Sequence, residues 1–113
     1  MPRTCVNIPL NNQDPNQIHE RIKAILSGDG YKEKTYKKNE IVWKKGTGLL
    51  TAMHFIKLDY QLNMLIVSGW ICSGIGSLTF GEMDLSGVVA VVPKKSVQKT
   101  VDKIVVAVGQ PMA

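Results

Sequence analysis

Little in this chain supplies strong chemistry. Of its 113 residues only two are cysteine, Cys5 and Cys72, and only two are histidine, His19 and His54. No CxxC spacing joins the cysteines and few histidines lie near them, so neither a disulfide scaffold nor a zinc site is expected. A reducing, cytoplasmic setting follows as the default. A signal-peptide core is missing too, because MPRTCVNIPL holds one arginine and a broken apolar run. There is no internal repeat, no linker and no low-complexity tract, which leaves one domain over residues 1–113. Charge is absent between Asp59 and Glu82, and that window raises the question of a membrane span. A spanning helix needs about 20 predominantly apolar residues. Here Gln61, Asn63, Ser68, Ser73 and Ser77 interrupt the run, with glycines at 69, 74, 76 and 81. Strands and turns fit that punctuation better, and no transmembrane segment is expected.

What is present describes a folded domain. Hydrophobic residues make up 44% and charged residues 20%, enough for one real core. The net charge of +5 permits acidic partners without requiring them.

Periodicity divides the chain. TCVNIPL alternates over residues 4–10 and reads as a short strand, with Pro9 marking its end or an edge position. In DPNQIHERIKAIL, Asp14 can cap a helix, Pro15 takes the first helical position, and Gln17 approaches a capping box. Ile18, Ile22, Ile25 and Leu26 form one apolar stripe, and Ser27–Gly30 ends a helix over 14–27. Strands are expected at 31–38 and 41–45, reversing at Asn39-Glu40. A long strand follows over 53–60, with His54, Ile56, Leu58 and Tyr60 on one face. Residues 64–72 are apolar on both faces, as a covered central strand would be, and 78–83 suit a further strand. LSGVVAVVPKK (85–95) stays open between strand, helix and packed loop, and the conformation of 84–93 is not fixed by pattern. Val97, Val101, Ile104, Val105 and Val108 mark a second helix over 94–108, with Lys94, Lys95, Lys99 and Lys103 facing elsewhere. The resulting order, β-α-β-β-β-β-α, predicts an α+β two-layer sandwich: a four- to five-stranded antiparallel sheet with two helices packed on it.

Two glycine-rich stretches resemble phosphate loops and fail as such. In VWKKGTGLL the lysines precede Gly46 and Gly48, and a β-type run follows, where a Walker loop needs GK[ST] opening a helix. SGIGS (73–77) has no helix directly after it. Both read as turns between strands.

The basic stretch 31–45 is the main surface signal. Lys32, Lys34, Lys37, Lys38, Lys44 and Lys45 oppose Glu33 and Glu40, so the stretch carries +4 of the total +5. Tyr31, Tyr36 and Trp43 are interleaved. Such a hairpin can follow a phosphate backbone while rings stack on bases. Equally, lysines on an edge hairpin discourage aggregation. Arginine, the usual bidentate phosphate ligand, is missing from it.

Catalytic constellations are thin. His19 and His54 lack evident partners. Glu82 and Asp84 form an acidic pair, with Asp84 placed to cap the turn at 85–87. Cys72 reads as a buried thiol and Cys5 as a more exposed one. No enzyme activity, catalytic residue, metal or cofactor is expected.

WKKGTGLLTAMHFIKLDY, GEMDLSGVVAVVPKK and the capped helix DPNQIHERI together resemble a small uncharacterised bacterial domain family. Its members carry WKKGTG…TA…IK and acidic-Leu-Ser/Thr-Gly…PKK segments, and the likeness covers most of residues 6–106. Some relatives are joined to a zinc ribbon, whose paired cysteines are missing here. The resemblance implies bacterial origin and a module that works alone or within a larger protein. It brings no activity and no functional residue.

The expectation is therefore a non-enzymatic interaction or accessory module. Its contact surface would be Lys32, Lys34, Lys37, Lys38, Trp43, Lys44 and Lys45, engaging a protein partner or a second copy. Nucleic acid and anionic membrane surface are the alternatives.

Overall fold

A computed structural model describes residues 3–46, 53–75, 78–86 and 91–109. Its eight strands and helices follow the predicted order, the further strand at 78–83 included. Strand β1 spans Thr4–Pro9, helix α1 Pro15–Gly28, β2 Lys32–Thr35, β3 Ile41–Lys45, β4 Met53–Gln61, β5 Met64–Ile75, β6 Leu78–Met83 and helix α2 Val91–Gly109. The sheet is antiparallel throughout and runs β1-β5-β4-β3-β2, five strands wide. β6 does not widen it. β1 pairs with residues 64–69 of β5, and β6 with residues 71–75 beyond a register shift at Cys72/Gly74. The two short strands therefore share one side of β5, end to end, while β4 fills the other side.

Local chemistry sets the boundaries. The Asp14 carboxylate accepts from the Asn16 N–H at 3.0 Å, and Pro15 occupies the first helical position. The last turn of α1 closes on backbone donors: Asp29 N–H to the Ile25 carbonyl, Gly30 N–H to Ser27, and Tyr31 N–H to Leu26. Gly30, at φ 91, supplies the left-handed residue that such an ending needs. Between β2 and β3 a 3-10 turn covers Lys37–Asn39, with Lys38 and Asn39 at positive φ. The second strand is thus shorter than the sequence pattern suggests. Leu62 and Asn63 alone connect β4 to β5, Asn63 taking φ 54.

Both helices cover one face of the sheet. Ile18, Ile22 and Leu26 of α1 and Val97, Val101, Ile104 and Val108 of α2 bury against Ile8, Ile56, Leu65, Val67 and Ile71. Gly69 is where α2 comes closest. A Cβ there would lie 3.1 Å from Val97 Cγ1 and 3.2 Å from Leu85 Cδ1. The helices are also tied end to end: carbonyls of Val108 and Ala107 accept from Gln13 Nε2 and Arg21 Nη1. α2 starts earlier than its valine stripe indicates. Lys94, expected to face away, is 6% exposed and donates to the Ser86 carbonyl at 2.6 Å. Its stem lies along the core while the ammonium satisfies a backbone acceptor.

The far face is not left bare. Val42, Phe55, Trp70 and Cys72 form a second, smaller core there, with Tyr36 and Met53 packed against it. Gly46, at φ 95, follows β3; the rest of the GTG stretch, residues 47–48, lies outside the described residues, as do 76–77 of SGIGS and 87–90. Within VWKKGTGLL, β3 ends at Lys45, and the next described element is β4, its antiparallel neighbour.

Candidate functional site

The far face is built around Arg3. Its guanidinium lies 3.7 Å from the centroid of the Trp70 ring. It makes two bidentate pairs: Nε and Nη2 donate to Glu82 at 2.8 and 2.7 Å, while Nη1 and Nη2 donate to Glu40 at 2.8 and 3.1 Å. Lys57 Nζ donates to the same Glu40 at 2.7 Å, and the Tyr36 hydroxyl donates to Glu82 at 3.1 Å. Beneath this layer Phe55 and Trp70 stack at 5.3 Å with a 10° interplanar angle. Arg3 holds the Glu40 carboxyl down at about 2, with Lys57 as the second hydrogen-bonding cause. Burial raises the Tyr36 hydroxyl well above its ordinary value, and neighbouring Cys72 and Glu82 add to that. A cleft of about 500 Å³ opens beside the cluster, lined by Arg3, Lys38, Glu40 and Lys57.

The candidate lysines divide according to strand register. Side chains alternate between faces, and Lys44 pairs with Phe55 while Lys34 pairs with Val42, both of the far-face core. Lys32, Lys34 and Lys44 therefore share the far face, and Lys32 pairs directly with Lys44. None of the three is ion-paired among the described residues. Lys38 lines the cleft. Lys45 belongs to the helix face, with Nζ 5.8 Å from the Tyr31 ring centroid. The Lys37 side chain lies outside the described residues.

Trp43 corrects the expectation most clearly. It is 7% exposed and packs in the helix-side core, so it is not a surface contact. Its neighbours Ile41 and Val42 gave no alternation to assign its face. Tyr31 is buried as well and Tyr36 half-buried, so none of the interleaved rings is laid open for base stacking.

The four groups considered for catalysis have separate engagements. His19 Nδ1 shares a 2.8 Å hydrogen bond with the Tyr60 hydroxyl, and His54 Nδ1 lies 3.3 Å from the Lys45 carbonyl. Glu82 meets Arg3 and Tyr36, and Asp84 accepts from Ser86 N–H and Oγ in a side-chain-capped turn. Cys5 is exposed and Cys72 buried. Among the described residues no three His, Cys, Asp or Glu side chains converge as metal ligands. No described helix is long and apolar enough to cross a membrane.

No spacing in the sequence joins Arg3, Glu40, Lys57 and Trp70. Their pairings span up to 79 residues, and no local spacing announces them. The one available hint is an arginine beside a strand that carries no charge.

Against known proteins, no family model, no curated protein and no solved structure matches this chain.

Proposed function

We propose that this protein is a non-enzymatic interaction module that holds an acidic protein partner on the far face of its sheet, at the β2–β3 hairpin. The observation that carries this reading is the Lys32–Lys44 pair. Like charges directly opposite on one sheet face are destabilising, and neither lysine has a neutralising carboxylate among the described residues. Lys34 adds a third charge, and Lys38 carries the same sign into the cleft. β2 is also the outermost strand, so its free edge offers backbone hydrogen bonds to an extended segment. Carboxylates on such a segment would meet Lys32 and Lys34 on alternate residues. Nucleic acid is the less favoured occupant, because the hairpin's rings are drawn into the structure and the nearby arginine is already clamped between two carboxylates. The bacterial module that the sequence resembles is compatible with this role.

The test is a titration with a glutamate-rich peptide and with single- and double-stranded oligonucleotides, at low and near-physiological salt. Peptide binding that is lost in the triple variant Lys32→Gln, Lys34→Gln, Lys44→Gln, and kept in Lys23→Gln, supports the proposal. Binding of oligonucleotide alone replaces the partner class with nucleic acid. No binding of either, even at low salt, reduces the lysines to an edge-protecting role.

A further inference from the structure

A second concentration of positive charge lies on the helix side of the sheet. Where the end of α1 meets α2, a polar notch of about 290 Å³ is lined by Asp29, Lys45, Ser96, Lys99, Thr100 and Lys103. Three lysines surround one carboxylate, a formal charge of +2. That carboxylate is already engaged: Lys103 Nζ donates to Asp29 Oδ1 at 2.8 Å and Thr100 Oγ1 to Oδ2 at 2.6 Å. Lys45 and Lys99 have no ion-pair partner among the described residues.

The setting aims these lysines. Lys45 leaves β3 with its stem against Gly30 and its ammonium near the Tyr31 ring, so packing restricts where its charge can go. Lys99 and Lys103 lie one turn apart on α2, on the rim of the same notch. The C-terminal end of a helix ordinarily repels anions. Here the carbonyls of Ile25, Leu26 and Ser27 are occupied by the amides of Asp29, Tyr31 and Gly30, which weakens that repulsion. Ser96 also lines the notch, and the buried Tyr31 hydroxyl has no hydrogen-bond partner of good geometry among the described residues.

We infer that this notch binds a phosphate group, held by the ammonium groups of Lys45 and Lys99 with Lys103 shared between the ligand and Asp29. Lysine acts on phosphate as a point charge with rotatable donors, and a compact dianion uses three such charges better than a monovalent carboxylate does. Free inorganic phosphate and a phosphate ester present the same chemistry to these side chains. The site stands apart from the β2–β3 lysine face, and its test is independent of that reading.

The experiment follows backbone amide shifts of the full chain during titration with inorganic phosphate and, separately, with phenyl phosphate. Sodium chloride at matched ionic strength is the reference. The expected result is saturable movement of Gly28, Asp29, Gly30 and Tyr31 at millimolar phosphate. Each of Lys45→Gln and Lys99→Gln should weaken affinity about two- to fivefold, while Lys23→Gln leaves it unchanged. Asp29→Asn, which frees Lys103 and removes the opposing charge, should tighten binding even as it lowers the melting temperature. A merely structural cluster would show only the second effect. Saturation by phenyl phosphate alone assigns the site to phosphate esters; saturation by both shows that the phosphate group suffices. Absence of saturation with either ligand, or affinity indifferent to both lysine substitutions, overturns the inference.

Discussion

Arg3 holds the far face together through its edge and its plane at once. Its N–H groups satisfy Glu40 and Glu82, and its face covers Trp70. Glu40 gains from this arrangement, because Arg3 and Lys57 both favour its charged form. Its folded-state value of about 2 lies below the ordinary 4.5, so the stability it contributes is fully present above about 4.5. That contribution is lost as pH falls toward about 2. The wild-type urea midpoint should therefore fall more steeply across this interval than that of Glu40→Gln. Asp29, also held low by Lys103 and Thr100, titrates in both proteins. The difference between the two curves consequently isolates Glu40. Parallel curves would show that Arg3 does not hold the carboxylate in solution. None of this was legible beforehand, since a residue's partner across 37 or 79 positions leaves no trace in local spacing.

Among the elements, those governed by neighbouring residues were readable and those governed by distant ones were not. Asp14, Pro15 and the isoleucine stripe determine α1 within a few positions of chain, and the helix begins where they place it. β2 ends early because Lys38 and Asn39 enter the left-handed region, which alternation alone does not reveal. Trp43 turns out of the expected contact surface because Ile41-Val42-Trp43 is apolar on both faces, with Trp43 in the helix-side core and Val42 in the far-face core. Lys94 departs from the expected outward set because its ammonium finds the Ser86 carbonyl while its stem is buried. The closest helix–sheet approach offers a sharp test. At Gly69 an added methyl meets Val97, Leu85 and Val101 at 3.1 to 3.4 Å, and valine side chains have little rotameric freedom to yield. Gly69→Ala should cost about 1–2 kcal/mol in chemical denaturation. Gly28→Ala, where nothing lies within 4 Å, should be neutral or slightly stabilising. Equal effects at the two glycines would contradict the packing described.

At the scale of the molecule, the two-layer architecture followed from element order and amphipathic stripes, whereas the small core on the other face did not. The sheet has one outer strand whose four residues are all exposed, and lysine occupies its far-face positions 32 and 34. Charged side chains keep such an edge from pairing with another sheet. Lys32→Val with Lys34→Val should produce concentration-dependent association in sedimentation velocity, with wild-type monomer–oligomer distribution as reference. An unchanged distribution would mean that strand length and twist, rather than charge, protect this edge.

The sharing of β5 by β1 and β6 also has a consequence for time. Thr4 pairs with Gly69, so the leading end of β1 has no partner until Gly69 has been added. At translation rates of 5–20 residues per second, that is a wait of about 3–13 s. During it the β2–β3 and β3–β4 hairpins can form, because both partners already exist. β1 then docks on a template assembled without it, and Arg3 closes the far face only once Glu82 has followed. The earliest made of the described strands is thus among the last to be fixed in place.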